Sequence, residues 1–274
     1  MNSLKQVTLC SVTSRDTAVT ELALRKSMKG LDFARVVMFS PDPPDSNLIE
    51  HVGIPRFATM GDYCKFILSE LHKNIDTKFV LITHFDGFVI NPRAWDNDFL
   101  RYDYIGARWP WHPDNQVGNG GFCLRSSRLL KATSDPRFDR PGIAEDELIC
   151  RVERSHMESL GLTFAPNELA DRFSLEHTEL PLTSFGFHGL FHLHQVCNEK
   201  EIEELLLLLN PVIFREASVL LWFFSLRNDG HKLQATIARK LLEQQPFKLL
   251  VKNCAIFGLP AISVFSTLTE AARM

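Results

Sequence analysis

The sequence predicts an α/β protein: a sheet with helices on its faces, followed by a helical C-terminal region. Apolar, β-branched runs alternate with helix-patterned segments through the first 160 residues, the signature of βαβ units and a parallel sheet. From about Asn198 onward the pattern becomes helical throughout. The chain has 274 residues, 45% of them hydrophobic and 23% charged, which suits a globular protein with a substantial core. Its net charge of −3 argues against a dedicated nucleic-acid binder, which would carry a strongly basic face.

Residues 6–12 read as the first strand, Ser14-Arg15-Asp16 as a turn, and 17–28 as a helix with Leu22 and Leu24 among charged neighbours. A second strand is expected at 34–39. Proline at 41, 43 and 44 then forces a loop, because it removes backbone donors and fixes φ. A helix at 61–73 precedes a strand at 79–83. The stretch holding Pro92, Trp95, Trp109, Pro110, Trp111 and Pro113 is too irregular for a helix and reads as a shaped surface. Asn119-Gly120 is a strong turn signal ahead of a strand at 121–124. Helices are expected at 126–133 and 144–160, the second opened by Glu145-Asp146-Glu147, where the helix dipole favours negative charge.

The later helices are expected at 201–209, 214–226, 232–244 and from 247 with a break at Pro260, so we divide the chain into 1–197 and 198–274. Residues 205–274 carry a net +4 against −7 for the rest. Packing against the sheet domain is the ordinary reading of these helices. Docking on anionic lipid or on a partner is the alternative. The six cysteines are scattered without a C-x-x-C pair, the first residues are too polar for a signal peptide, and no 18 apolar residues run together. A cytoplasmic protein with reduced thiols is expected, with peripheral membrane contact as an option.

Chemistry concentrates in a few places. Asp86 follows the apolar run 79–83 directly, so its carboxylate should emerge at a strand end, where a divalent ion could bridge it to a diphosphate. The bland alternative is an Asp-Gly hairpin turn into Phe88-Val89-Ile90. Glu145 and Asp146 could supply a general base, or simply an acidic first helical turn. Gly118-Asn119-Gly120-Gly121 could let backbone amides approach a sugar or phosphate, but it lacks the spacing of a P-loop or dinucleotide fold, and a hairpin turn is equally good. His188, His192 and His194 form H-x-x-x-H-x-H, and the last two would share a face and could take zinc if the segment were extended.

In order along the chain, the segments His84-Phe85-Asp86-Gly87-Phe88-Val89, Tyr102-Asp103-Tyr104-Ile105-Gly106-Ala107, Gly118-Asn119-Gly120-Gly121-Phe122, Glu145-Asp146 and Phe185-Gly186-Phe187-His188-Gly189 resemble a largely uncharacterised bacterial domain of GT-A-type glycosyltransferases. The resemblance covers about residues 7–193. It implies a Rossmann-like GT-A mixed sheet and a strand-end D-x-D motif that binds Mn²⁺ or Mg²⁺ and a nucleotide-sugar donor. Only the final aspartate of that motif is present here, in His84-Phe85-Asp86. The resemblance further implies Asp86 and His188 as metal ligands, and Thr13, Arg15, His84, Asp86, Gly120 and Gly121 around the donor. It implies Asp146, beside Glu145, as the base of an inverting transfer, and Trp109, Trp111 and Asn119 toward the acceptor. The implied acceptor is a glycan or lipid-linked hydroxyl in bacterial surface polysaccharide synthesis. Two rivals remain: a metal-dependent hydrolase using the histidine group, and a non-catalytic carbohydrate- or nucleotide-binding module.

Overall fold

The computed structural model describes residues 2–178 and 183–274, which form two compact units, Met1–His188 and Gly189–Met274. In the first unit, β1 (Asn2–Val12) leads through α1 (Thr17–Ser27) to β2 (Leu31–Ser40) and β3 (Glu50–Gly53). Next come α2 (Met60–Lys65), β4 (Phe79–Thr83), β5 (Tyr104–Gly106) and β6 (Phe122–Ser126). These six strands make one mixed sheet in the order β3-β2-β1-β4-β6-β5. β1, β2, β3 and β4 are parallel, with Val12 opposite Phe39 and Cys10 opposite Ile82. β6 runs antiparallel to both β4 and β5, with Thr83 opposite Phe122.

β4 and the second half of β1, from Val7 onward, are buried on both faces, as central parallel strands should be. The polar residues within β1 are satisfied across the sheet: Ser11 Oγ lies 2.7 Å from Thr83 Oγ1, and Thr8 Oγ1 lies 2.7 Å from Thr77 Oγ1. The chain winds from β1 outward to β2 and β3, then returns to place β4 on the other flank of β1. The carboxyl ends of β1 and β4 therefore flank a topological switch point, where open α/β sheets bind ligands. The start of β6 lies at the same edge.

Local signals explain most boundaries. Thr59 and Asp62 form a capping box at the start of α2, which continues as a π-helical turn (Phe66–Glu70) and a 3₁₀ turn (Leu71–Asn74). Ser126 Oγ accepts from Leu129 N (3.1 Å) to start α3 (Ser127–Ala132). The expected helix at 144–160 is broken instead. Here α4 (Glu145–Glu147) runs into a π-helical turn (Leu148–Val152), and α5 (Arg154–Ser159) restarts after Glu153. The buried Glu153 carboxylate pairs with Arg137 (3.4 Å) and Arg140 (2.5 Å) at this break. Then α6 (Asn167–Phe173) leads into β7 (Ser174–Leu175), which pairs in parallel with β8 (Gly186–Phe187).

Neither turn motif makes a two-residue hairpin. Gly87 N donates to His84 O (3.2 Å), but the chain leaves the sheet and Val89 bridges to Gly186. Asn119 takes φ +59 at the end of an excursion from β5 to β6, within which Arg108 bridges Val117.

The second unit contains α7 (Leu193–Val196), α8 (Glu199–Leu208), α9 (Ser218–Asn228), α10 (Gln234–Gln244), α11 (Phe247–Ile256) and α12 (Ala261–Ala272). Residues 189–197, placed by sequence in the first domain, group with this unit. Trp222, Phe223, Leu226, Ile237, Leu241 and Leu268 are buried. Gly258 (φ +64) and Pro260 make the expected break between α11 and α12. Among the described residues no single helix is long and apolar enough to cross a membrane, although α11 and α12, bent by 114°, together meet that length and composition. All six cysteines are buried free thiols.

Candidate functional site

The buried run of β4 ends at Thr83, and the next residues turn at the sheet edge with His84 N donating to Gly121 O (2.8 Å). A second polar group arrives through the β7–β8 pair. Because Leu175 pairs with Phe187 in parallel, the residues that follow, Glu176 and His188, become neighbours. His188 Nδ1 lies 2.8 Å from Glu176 Oε1, and His188 Nε2 lies 3.4 Å from Asp86 Oδ1. Candidate ligand atoms of His84, Asp86 and His188 all fall within 4.8 Å of one another. The side chains of His188 and Asp86 keep 17% and 14% exposure, enough for a small ion to reach them.

Glycine makes this approach feasible. A Cβ on Gly121 would collide with His188 Nε2, and one on Gly87 would lie 2.9 Å from Phe187 O and 3.0 Å from His188 Cδ2. Burial lowers the His84 imidazole to about 4, with the charge of His188 acting in the same direction. For His188, burial pulls the same way, but the carboxylates of Asp86 and Glu176 overcome it and hold the ring well above its ordinary value. Asp86 and Glu176 are correspondingly held low, burial opposing and His188 prevailing. The two rings are thus driven apart, His84 toward the neutral imidazole and His188, between two carboxylates, toward the imidazolium. Tyr63 Oη meets His84 Nε2 at 2.8 Å and fixes that ring.

Glu145 and Asp146 point to different surroundings. Gly120 N donates to Asp146 Oδ2 (2.7 Å), which places a half-buried carboxylate one residue from the Gly121 wall of the cluster. Glu145 is instead buried and receives two bonds from Arg125 Nη2, at 2.8 and 3.0 Å. Burial pushes its carboxyl up to about 7 against the pull of Arg125. Glu145 therefore lies against the Gly120 backbone from the core side, where a Cβ would collide with it, and its carboxylate is engaged by Arg125.

The residues expected toward the acceptor divide as well. Trp109 is 8% exposed and packs under Gly118, which takes it out of a stacking role. Trp111 is 58% exposed and meets the His177 ring at 4.9 Å, so it remains an open aromatic surface. Asn119 is 4% exposed: its Oδ1 accepts from Gly121 N (3.2 Å) and Phe122 N (3.3 Å), and its Nδ2 donates to Glu176 Oε2 (2.6 Å). That side chain positions the loop and Glu176, leaving nothing free for an acceptor. Thr13 and Arg15 line a cleft of about 230 Å³ with Phe57, Tyr63, His84 and Phe85, adjoining the cluster at the β1/β4 switch point.

The structure groups His84 with His188 and Asp86, and a donor set of two imidazoles and one carboxylate fits a divalent ion. His192 and His194 do not share a strand face. They lie in the helical unit, where His192 Nδ1 is 3.2 Å from Gln195 Oε1 and His194 Nε2 is 2.7 Å from Asp229 Oδ2. Glu176, Tyr63 and Arg125 escaped the sequence reading. Nothing near them in the chain marks them, although the H-x-D spacing of His84 and Asp86 at a strand end could have been read as a nitrogen and oxygen ligand pair.

Compared with known proteins, residues 49–188 match the model of a family described as "Protein of unknown function (DUF5672)". No curated protein matches the chain. Similar solved structures include a glycosyltransferase involved in the glycosylation of the major capsid of PBCV-1, with TM-score 0.45, 11% identity, and coverage of 73% of this chain and 98% of that one. Another is the apo-form glycosyltransferase GlyE of Streptococcus pneumoniae TIGR4, with TM-score 0.41, 10% identity, and coverage of 67% and 54%. A third is A197 from STIV, with TM-score 0.35, 12% identity, and coverage of 54% and 78%. The family match begins just before β3, takes in His84, Asp86, Gly120, Gly121, Asp146 and Glu176, and ends at His188. The chain belongs to this DUF5672 family.

Proposed function

We propose that this chain is a glycosyltransferase that moves a sugar from a nucleotide-diphosphate donor to a hydroxyl of a glycan or lipid-linked acceptor, with inversion and with the help of a divalent ion. One observation carries the reading: the His84, Asp86 and His188 cluster sits at the β1/β4 switch point, beside the cleft that His84 lines with Thr13 and Arg15, and its Gly121 wall follows Gly120, whose N–H binds Asp146. The motif resemblance supports the same reading and suggests a bacterial surface glycan made at the cytoplasmic side.

Asp86, His84 and His188 would hold a divalent ion, Mn²⁺ or Mg²⁺ in the simplest version, which when bound would supply positive charge opposite a departing diphosphate. Thr13 and Arg15 face the nucleotide portion of the donor. Asp146, steadied by Gly120 N, takes the proton of the acceptor hydroxyl. That oxygen then bonds to the anomeric carbon as the bond from this carbon to the diphosphate oxygen breaks, and the nucleoside diphosphate departs with the electron pair. Trp111 offers an exposed ring on which an acceptor sugar could stack.

The test is release of nucleoside diphosphate from a panel of nucleotide sugars in the presence of glycan acceptors. Asp146→Asn should slow turnover by roughly 10²- to 10⁴-fold while donor affinity stays within about threefold. Turnover at the wild-type rate in Asp146→Asn would overturn the base assignment. Phe247, Val251, Ile256, Ile262 and Phe265 are exposed on α11 and α12, near Lys248 and Lys252, which supports contact with an anionic membrane where a lipid-linked acceptor would reside. Cosedimentation with anionic but not neutral vesicles should follow; equal behaviour with both would remove the membrane from the proposal.

A further inference from the structure

We propose that His84 is a direct ligand and that the cluster selects a first-row transition ion over Mg²⁺, with Glu176 orienting His188 for it. The inference rests on reading the cluster as an ion site, and it narrows the ion that the proposed transfer would use.

Donor chemistry is the first ground. A D-x-D pair offers two carboxylates at the strand end, whereas His84-Phe85-Asp86 offers one carboxylate and one imidazole, and His188 adds a second imidazole. Mg²⁺ favours hard oxygen donors in a near-ideal octahedron. Imidazole nitrogens shift preference toward Mn²⁺, Fe²⁺, Co²⁺ and Zn²⁺, increasingly along the first row. The exchange also removes one negative charge from the ligand shell. A divalent ion on Asp86, His84 and His188 would keep a net positive charge to present to a diphosphate.

The groups behind the ligands are the second ground. His188 presents Nε2 toward Asp86 (3.4 Å) while Nδ1 rests on Glu176 Oε1 (2.8 Å), the carboxylate–histidine arrangement that fixes a ligand's orientation and raises its basicity. Glu176 is in turn held by Asn119 Nδ2 (2.6 Å), and Asn119 is locked by the amides of Gly121 and Phe122. On the other side Tyr63 fixes the His84 ring. Gly87 and Gly121 leave the imidazole of His188 no obstruction on its way to Asp86. Each ligand histidine is thus aimed by a neighbour that contributes no donor to the ion.

The experiment uses the full chain, stripped with EDTA and dialysed, without nucleotide or sugar. Co²⁺ titration followed by visible absorption should show ligand-field bands saturating at one ion per chain. Melting temperature should rise with Mn²⁺, Co²⁺ or Zn²⁺ at concentrations at least tenfold below those needed for Mg²⁺. His84→Asp should narrow that preference to less than threefold, and Glu176→Gln should keep one ion per chain but weaken it by about 10- to 100-fold. Mg²⁺ binding as tightly as Mn²⁺ to the wild type would overturn the proposal even if no variant folded, and so would an unchanged ion preference in a folded His84→Asp. Co²⁺ binding without any nucleoside diphosphate affinity would leave this inference standing and remove the transferase reading. Turnover of a nucleotide sugar with no dependence on ions would do the reverse.

Discussion

At the sheet edge of the first unit His188 lies between two carboxylates, Asp86 at 3.4 Å and Glu176 at 2.8 Å, whereas in the helical unit His194 meets one, Asp229 at 2.7 Å. The edge histidine is walled by glycine and joined by His84 in the same cluster. The His194 side chain is 3% exposed against 17% for His188, but Asp229 is 51% exposed and the Nδ1 of His194 is buried with no hydrogen-bond partner among the described residues. The two rings therefore shift in opposite directions. His188 is held well above its ordinary range by its carboxylates despite burial, and His194 is lowered by burial despite Asp229. Six residues apart in the chain, the two histidines differ in whether the fold supplies enough charge to overcome desolvation.

Removing the support of the edge should have the largest effect. Arg125→Met leaves the buried Glu145 carboxylate unpaired beneath Gly120, and should cost about 3–5 kcal/mol in denaturant unfolding. Loss of less than about 1 kcal/mol would mean that this pair does not hold the loop. Glycine provides the next contrast. Gly121→Ala forces a methyl group into His188 and should both destabilise the protein by about 1–3 kcal/mol and abolish ion binding. Gly230→Ala, at φ +65 with nothing within 4 Å, should cost about 1 kcal/mol of backbone strain and leave ion binding intact. If both alanine variants bound the ion alike, the glycine wall would have no bearing on the cluster.

A smaller effect separates the two histidines by pH. For ion-free protein, the stability supplied by the raised His188 is complete below its unfolded value of about 6.5 and is lost as pH climbs through the higher folded value. For the lowered His194 the sign reverses: its contribution is present above about 6.5 and is lost as pH falls through the folded value. Melting curves should therefore show the gap between wild type and His188→Gln narrowing as pH rises above about 6.5. The gap for His194→Gln should widen as pH rises toward about 6.5. Parallel trends would contradict the contrast.

Much of the first unit was legible in the chain because strong local patterns coincide with tertiary ones. The apolar run at 79–83 is a buried central strand, and Asp86 emerges at its end because polar residues follow it at once. Short elements were not legible. β3 and β5 have four and three residues, too few for an alternation to register, and β7 and β8 have two each. That last pair is what brings Glu176 beside His188, so the carboxylate nearest to His188 was invisible. Glu145 and Asp146 show a different limit. Adjacent acidic residues look equivalent in a sequence, but here one meets a buried arginine and the other a glycine amide. Trp109 was misread for a related reason, since only the fold shows that Gly118 leaves room for it underneath.

The most direct test of the site is calorimetric titration of uridine, guanosine and thymidine diphosphates into the wild type with Mn²⁺, into the wild type with EDTA, and into Asp86→Ala with Mn²⁺. One diphosphate should bind the wild type with the ion, and at least tenfold more weakly without the ion or without Asp86. Binding of equal strength under all three conditions, or no binding of any diphosphate, would contradict an ion-held nucleotide site at His84, Asp86 and His188.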